Sequence, residues 1–218
     1  MKKVLVVLLV LSALAVKAQT NLQVMYDFGA NRKNVTSTLE MFKPDKWGNT
    51  FFFVDMEFNG GTEKQPSLAY MEIARCLKFW DGPISAQVEY NGGLIHTPGF
   101  GAAINSAYLI GADYGWHDKN FTKFLNFKAL FKSIPGIDPV TYQLTGVWNL
   151  SFLNKKLTVS GFADLWQENA TVIFLSEPQF WYNATENLSL GGEIEVGSNF
   201  GGVPGWNVCP ALGAKWNF

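Results

Sequence analysis

Residues 207–218, NVCPALGAKWNF, decide the fold of this chain. Smaller or more polar residues alternate there with a set of mostly larger apolar ones: Val208, Pro210, Leu212, Ala214, Trp216 and Phe218. A period of two is typical of a β-strand whose two faces meet different environments. The segment therefore predicts a final strand with one apolar face, and this strand ends the chain on an aromatic residue.

Eleven further segments with the same alternation precede this strand. In 83–92, for example, Ile84 and Val88 share one face while Gln87 and Glu89 share the other. Most segments are longer than the usual strand of about 5 to 6 residues and match the roughly 9 to 11 tilted residues that cross a bilayer. The eleven are 20–29, 33–42, 49–58, 67–79, 83–92, 102–113, 121–132, 140–151, 155–167, 171–183 and 187–197.

Twelve long alternating segments predict an all-β fold, a transmembrane antiparallel up-and-down β-barrel of 12 strands. Only helices and closed barrels satisfy every backbone group in lipid, and an even strand number brings both termini to the periplasm. The connections on the periplasmic side should be the shorter ones, and 93–101 is among the long extracellular loops. A soluble β-sandwich or lipocalin-like barrel, with the aromatic residues in its core, is the alternative.

The first 18 residues have the pattern of a cleaved secretory signal peptide. Lys2 and Lys3 precede an apolar run of about 13 residues, which is shorter than the roughly 20 that a spanning helix needs. The expected organisation is therefore a signal peptide at 1–18 and a barrel domain at 19–218, located in the bacterial outer membrane.

Charge and cysteine content exclude some classes of protein. Loss of the three lysines of the signal peptide leaves 14 basic and 18 acidic residues, a net charge of −4. We therefore expect no nucleic acid partner. Cys76 and Cys209 are too few for a disulfide scaffold, so they are expected as small side chains rather than as a bridge.

Two features concern the lipid-facing surface. Aromatic residues collect near strand ends, where rings favour the headgroup level; they include Trp47, Phe79, Trp80, Tyr114, Trp116, Trp181, Tyr182, Trp206 and Trp216. Arg75 falls in phase with the lipid-facing residues Ile73 and Leu77, where a charge near mid-height costs about 2 to 4 kcal/mol. A β-bulge near Ala74 is predicted to turn it inward, beside Glu72.

The opposite phase predicts the lining of the lumen. It carries mostly acids and aromatic rings, with Lys128 and Lys132 as counter-charges. A wall with both acids and flat rings suits a planar polar solute, handled in a narrow passage one molecule at a time. The candidate solute-binding residues are Asp27, Phe53, Asp55, Glu57, Tyr70, Glu72, Glu89, Lys128, Phe162, Asp164, Trp166, Glu193 and Glu195.

The strings GNTFFFVDMEFNGG (48–61), YMEIARCLKFW (70–80), SGFADLW (160–166) and EPQFWYN (177–183) carry a family resemblance. They look like a family of Gram-negative outer-membrane proteins related to the Tsx nucleoside-specific channels and OmpK-like porins. The resemblance implies a monomeric twelve-stranded barrel for passive uptake of small polar solutes, nucleosides above all. The partners it implies are outer-membrane lipid and a nucleoside-like small molecule.

Two other functions remain open. A non-transporting barrel could act as an adhesin, receptor or assembly partner. An outer-membrane lipid-modifying enzyme would need a nucleophile with a base, but His96 and His117 are expected in connections on opposite sides of the membrane, so we predict no enzyme. The sequence has no metal-binding spacing, and neither a metal nor another cofactor is expected.

Overall fold

A single antiparallel sheet forms the whole described structure. In the computed structural model the described residues are 18–30, 32–59 and 65–218; apart from Ala18, the predicted signal peptide lies outside them. One short 3-10 turn, Phe200–Gly202, interrupts the connections. The strands are β1 (Gln19–Asp27), β2 (Asn34–Asp45), β3 (Gly48–Asn59), β4 (Pro66–Leu77), β5 (Ile84–Thr97), β6 (Phe100–His117), β7 (Lys123–Ser133), β8 (Thr141–Phe152), β9 (Leu157–Glu168), β10 (Thr171–Ser176), β11 (Gln179–Asn183), β12 (Leu188–Ser198) and β13 (Trp206–Asn217).

The sheet closes into a barrel because its first and last strands pair. Leu22 of β1 lies opposite Trp216 of β13, and Tyr26 lies opposite Leu212. Strands β10 and β11 both lie between β9 and β12, so they occupy one position in the wall, interrupted at Glu177 and Pro178. The wall therefore has twelve positions, which we call staves, and the predicted twelve-stranded barrel is confirmed.

The outer surface of the barrel is apolar. In β13 the predicted lipid-facing phase is confirmed, since Leu212 is 63% exposed and Trp216 is 48% exposed, while Cys209 and Ala211, which belong to the opposite phase, are buried. Large apolar side chains on the other staves are exposed in the same way, among them Ile110 and Phe131. Such a continuous apolar surface requires lipid rather than water around it.

No helix in the described parts of the chain is long and apolar enough to cross a membrane.

Several connections differ from the predicted ones. Strands β5 and β6 continue pairing as far as Thr97 and Phe100, so the loop expected at 93–101 is a two-residue turn at 98–99. The connection at 169–170 is equally short. The prediction of a long extracellular loop is therefore wrong for 93–101. His96 and His117 lie within strands, at opposite ends of the barrel as expected, rather than in connections.

Arg75 does not lie at a bulge. Residues 68–77 of β4 pair with β5 without a shift, so Arg75 keeps its outward phase. Its guanidinium donates to Asp45 at the end of β2, with Nη1 to Oδ2 at 2.7 Å and Nη2 to Oδ1 at 2.9 Å. The predicted bulge is wrong because this bidentate pair near the rim offsets the cost of a charge on the outer face.

Trp181 also departs from the prediction. Its neighbours Phe180 and Tyr182 are exposed on the outer face, whereas Trp181 is fully buried inside the barrel with Met25 and Ala211. Trp181 therefore follows the inward phase of its strand and does not belong to the aromatic belt.

Candidate functional site

The lumen is built by the inward phase of the twelve staves. Strand pairing puts Phe53 beside Glu72, Asp55 beside Tyr70, and Thr145 beside Asp164 on the same inner face. Period-two alternation sends every second side chain inward, and all thirteen candidate residues fall in this phase: Asp27, Phe53, Asp55, Glu57, Tyr70, Glu72, Glu89, Lys128, Phe162, Asp164, Trp166, Glu193 and Glu195.

Acidic side chains far outnumber basic ones on this inner face. Besides the acids predicted from the sequence, the described residues add Glu40, Asp113, Glu168 and Glu177. The basic side chains are Lys128 and Lys132, as predicted, together with Arg32 from the β1–β2 connection and Lys215 of β13. The lumen therefore has a strongly negative lining.

Few of these acids are neutralised by an ion pair. Arg32 binds Asp27 at 3.3 Å and Glu195 at 2.6 Å, and within the described structure these are the only ion pairs on the inner face. Lys132 instead donates to Gln143 at 2.9 Å and lies over Trp166, with its Nζ 4.3 Å from the ring centroid. The other acids of the lining have no basic ion-pair partner within the described structure.

Neutral donors hold those carboxylates in place. Such donors orient a carboxylate without cancelling its charge. The donor–acceptor pairs are Thr38 Oγ1 to Asp55 at 2.5 Å, Asn34 Nδ2 to Glu57 at 2.8 Å, Tyr70 Oη to Glu72 at 2.7 Å, Gln87 Nε2 to Glu89 at 2.6 Å, Gln179 Nε2 to Glu193 at 2.7 Å, and Thr145 Oγ1 to Asp164.

Acids from opposite walls face one another across the lumen. Asp55 and Glu72 lie on the third and fourth staves, and Glu177 lies on the tenth, almost diametrically opposite. Glu193 lies on the neighbouring eleventh stave. We call the set of Asp55, Glu72, Glu89, Asp164, Glu177 and Glu193 the carboxylate ring.

The predicted aromatic residues form two groups with different surroundings. Phe53 and Tyr70 lie side by side on the third and fourth staves, with ring centroids 6.1 Å apart. Trp166 is covered by Phe200 and Lys132, and Phe162 packs against the same cluster. Phe53 and Tyr70 are therefore the rings placed to meet a solute beside the carboxylate ring.

An extracellular connection narrows the lumen further. Ile134, which follows β7, is buried against the inward side chains of Ala107, Leu109 and Leu130. Ile137 packs on the same cluster, and its backbone N–H donates to the Ile134 carbonyl at 3.0 Å. The connection between β7 and β8 thus folds against the inner wall, and the passage is partly occupied.

Sequence reasoning missed Glu177 and Arg32. Glu177 is in phase with the inward residues Leu175 and Gln179, so alternation within the predicted segment 171–183 is the signal that could have found it. Arg32 lies outside any strand, and no period-two signal applies to it.

Metal binding has no support in the described residues. They contain no group of three or more histidine, cysteine, aspartate or glutamate side chains with the geometry of a metal site.

Cys76 and Cys209 are both buried and free, as expected.

Comparisons with known proteins agree with the barrel. The sequence profile of a family described as "Domain of unknown function (DUF5020)" matches residues 18–218. Among curated proteins, no significant sequence match was found.

Two solved structures share the fold over almost the whole chain. The KdgM porin in complex with disordered oligogalacturonate has 12% identity and a TM-score of 0.54, covering 92% of this chain and 99% of that one. The NanC porin structure has 9% identity and a TM-score of 0.59, covering 91% of this chain and 100% of that one. The fold is therefore that of the porin-type barrels of the bacterial outer membrane.

Proposed function

Because the chain belongs to the DUF5020 family and folds as a closed twelve-stave barrel, we propose that it is an outer-membrane channel for the passive passage of small polar solutes. The observation that carries the proposal is the contrast between an apolar outer face and an inner face whose carboxyl groups, apart from Asp27 and Glu195, have no ion-pair partner among the described residues. A barrel that only filled its own interior would gain nothing from charges held by neutral donors, because burying an unpaired charge is costly.

The lining favours weak binding at several successive positions. A solute would meet Asp27, Glu57 and Glu195 near the extracellular end, then the carboxylate ring with Phe53 and Tyr70, and then the amides of Gln23 and Gln87. Channels conduct when binding is favourable enough to admit a solute and weak enough to release it. No energy coupling is needed for such a route.

Nucleosides are the candidate cargo that follows from the sequence resemblance to Tsx-related channels. Their planar bases could stack on Phe53 and Tyr70, while their hydroxyls and amino groups donate to the surrounding carboxylates. Base–aromatic stacking contributes about 1 to 3 kcal/mol per base.

The charge of the lining argues against an acidic cargo. The KdgM porin was solved in complex with oligogalacturonate, a polymer of acidic sugars. Here the inner face carries an excess of carboxylates, which would repel such a polymer. Neutral and positively charged solutes are therefore favoured.

We further propose that the barrel acts as a monomer surrounded by outer-membrane lipid. Closure through β1 and β13 leaves no free edge in the described sheet for strand pairing with another chain.

Planar lipid bilayers containing the purified protein provide the test. We expect discrete conductance steps, and we expect uridine at millimolar concentration to reduce the current. Conductance that does not change when uridine is added would mean that the channel carries another solute. Absence of conductance from folded protein would overturn the channel and favour a non-transporting barrel.

A further inference from the structure

The carboxylate ring has an unsatisfied acceptor beside it. Asn91 is 4% exposed and lies on the inner face, opposite Glu72 across the β4–β5 pair and two residues from Glu89. Its side-chain Oδ1 is buried without a hydrogen-bond partner. A buried acceptor left without a donor is costly, so native proteins seldom keep one unless something else supplies the donor.

A second acceptor of this kind lies nearer the extracellular end. Asn34 is 3% exposed, and its Nδ2 donates to Glu57 at 2.8 Å, while its Oδ1 has no partner. Both unsatisfied atoms are acceptors, and both stand next to carboxylates. The described lumen thus has, at two levels, a buried acceptor that no protein donor reaches, beside a carboxylate.

From these observations we infer that the carboxylate ring with Asn91 is a selectivity site for organic cations that carry several N–H donors, such as alkylammonium and guanidinium compounds. This inference rests on the proposed channel function and narrows the class of solute that the channel would carry. Among the small polar solutes that the channel would pass, such a cation should be preferred to a neutral nucleoside.

Three features favour an organic cation over other occupants. The excess of carboxylates excludes anions. The described residues contain no cluster with metal-site geometry, so the acids are spread too widely to hold a bare metal ion. Phe53 and Tyr70 stand beside Glu72, and aromatic faces attract organic cations.

The site also matches the hydrogen-bonding capacity of such a cation. A guanidinium group presents five N–H donors and no acceptor. Glu72 and Glu177 face each other from opposite walls and can each accept from it, while Asn91 Oδ1 supplies a neutral acceptor at the side. The cation would satisfy the atom that the protein leaves without a partner.

Agmatine, which carries a guanidinium and an ammonium group, is a suitable probe. Binding to the detergent-solubilised protein is measured by calorimetry, and block of the current is measured in planar bilayers, each against uridine. We expect agmatine to bind more tightly than uridine. The double variant E72Q/E177Q should weaken agmatine binding about tenfold or more, because two charge-assisted hydrogen bonds are lost.

Two further variants separate recognition from folding. Glu186→Gln makes the same acid-to-amide change in an exposed turn and should bind agmatine like the unmodified chain. Asn91→Leu removes the unsatisfied acceptor, so it should leave thermal stability unchanged or raise it while weakening agmatine binding. A loss of both stability and binding would instead assign Asn91 a structural role and overturn its place in the site.

The outcomes distinguish this site from the channel itself. Channels blocked by uridine but indifferent to agmatine would overturn the cation site and leave the channel. Protein that binds agmatine through Glu72 and Glu177 but never conducts would retain the cation site and overturn the channel. Equal agmatine affinity in the double variant and the unmodified chain would overturn the assignment of these two acids.

Discussion

Arg32 Nη2 lies 2.6 Å from Glu195 Oε1, although 163 residues separate the two in the chain. Arg32 belongs to the β1–β2 connection and Glu195 to β12, and closure of the barrel through β13 brings them together. Burial by itself would lower the pKa of Arg32, but the charge of Glu195 and the hydrogen bond to it raise that pKa above its ordinary value. Arg32 is therefore a permanent counter-charge for Glu195 and Asp27.

Replacing Arg32 should destabilise the extracellular end of the barrel. We expect Arg32→Met to lower the free energy of unfolding by about 1 to 3 kcal/mol at neutral pH, because two largely buried carboxylates lose their charged donor. The loss should shrink at acid pH, where protonated carboxyl groups need no counter-charge. Urea titration in lipid vesicles measures it, with Lys33→Met on the neighbouring exposed residue as control. Equal effects of the two variants would contradict the role of the pair.

Much of the inner face could be predicted from the sequence. Alternation with a period of two gives the right face of a strand even when its predicted end is wrong by a residue or two. The inward positions of Glu193 and Glu195 on β12, and the apolar phase of β13, therefore follow from alternation alone. Contacts that depend on closure do not, and Arg32 with Glu195 is the clearest case. Glu177 and Trp181 both follow the inward phase of the segment 171–183, whereas nearness to the predicted strand end at 183 places Trp181 in the aromatic belt.

A matched pair on β3 tests the register. Phe53 faces the lumen beside Glu72, whereas Phe52 lies opposite the exposed Ile73 and faces lipid. Phe53→Ala should weaken block of the current by uridine about fivefold or more, as expected for the loss of one stacking ring. Phe52→Ala should leave the block unchanged. Similar effects of both substitutions would mean that the inner and outer faces are exchanged.

The Arg75–Asp45 pair predicts that removing the charge of Arg75 from the outer face changes the stability of the barrel little. A charge exposed to lipid at mid-height costs about 2 to 4 kcal/mol, and its removal would stabilise the barrel by that amount. Because Arg75 is paired near the rim, we expect Arg75→Leu to change the free energy of unfolding by less than about 1 kcal/mol. Folding titrations into vesicles measure this quantity. A large stabilisation would place Arg75 in the hydrocarbon instead.

The turn at 118–122 should confer a pH dependence at acid pH. Hydrogen bonds from the Lys123 backbone N–H and the Thr122 hydroxyl hold the pKa of Asp118 below its usual 3.8. A lowered pKa in the folded state stabilises the protein above pH 3.8, and this stabilisation is lost as the pH falls through the folded value. Asp118→Ala should therefore speed amide exchange of Thr122 and Lys123 at pH 6, while the two proteins converge near pH 2. A difference that persists at pH 2 would contradict the ionic origin.

The β7–β8 connection should limit the current. Ile134 anchors it on Ala107, Leu109 and Leu130 inside the barrel. Ile134→Ala removes buried contacts that hold the connection against the wall, so we expect larger and noisier conductance steps in planar bilayers. Ile110→Ala, on the lipid-facing surface of β6, is the control and should conduct like the unmodified chain. An unchanged current in Ile134→Ala would mean that this connection does not obstruct the passage.

The zero-current potential across a planar bilayer with a tenfold potassium chloride gradient tests the negatively lined passage most directly. An open lumen lined by the carboxylate ring should pass potassium ions in preference to chloride, so the potential should take the sign of a cation-selective channel. The double variant E72Q/E177Q should move it toward zero. A potential of the opposite sign, or bilayers that stay silent with folded protein inserted, would contradict a negatively lined passage through the barrel.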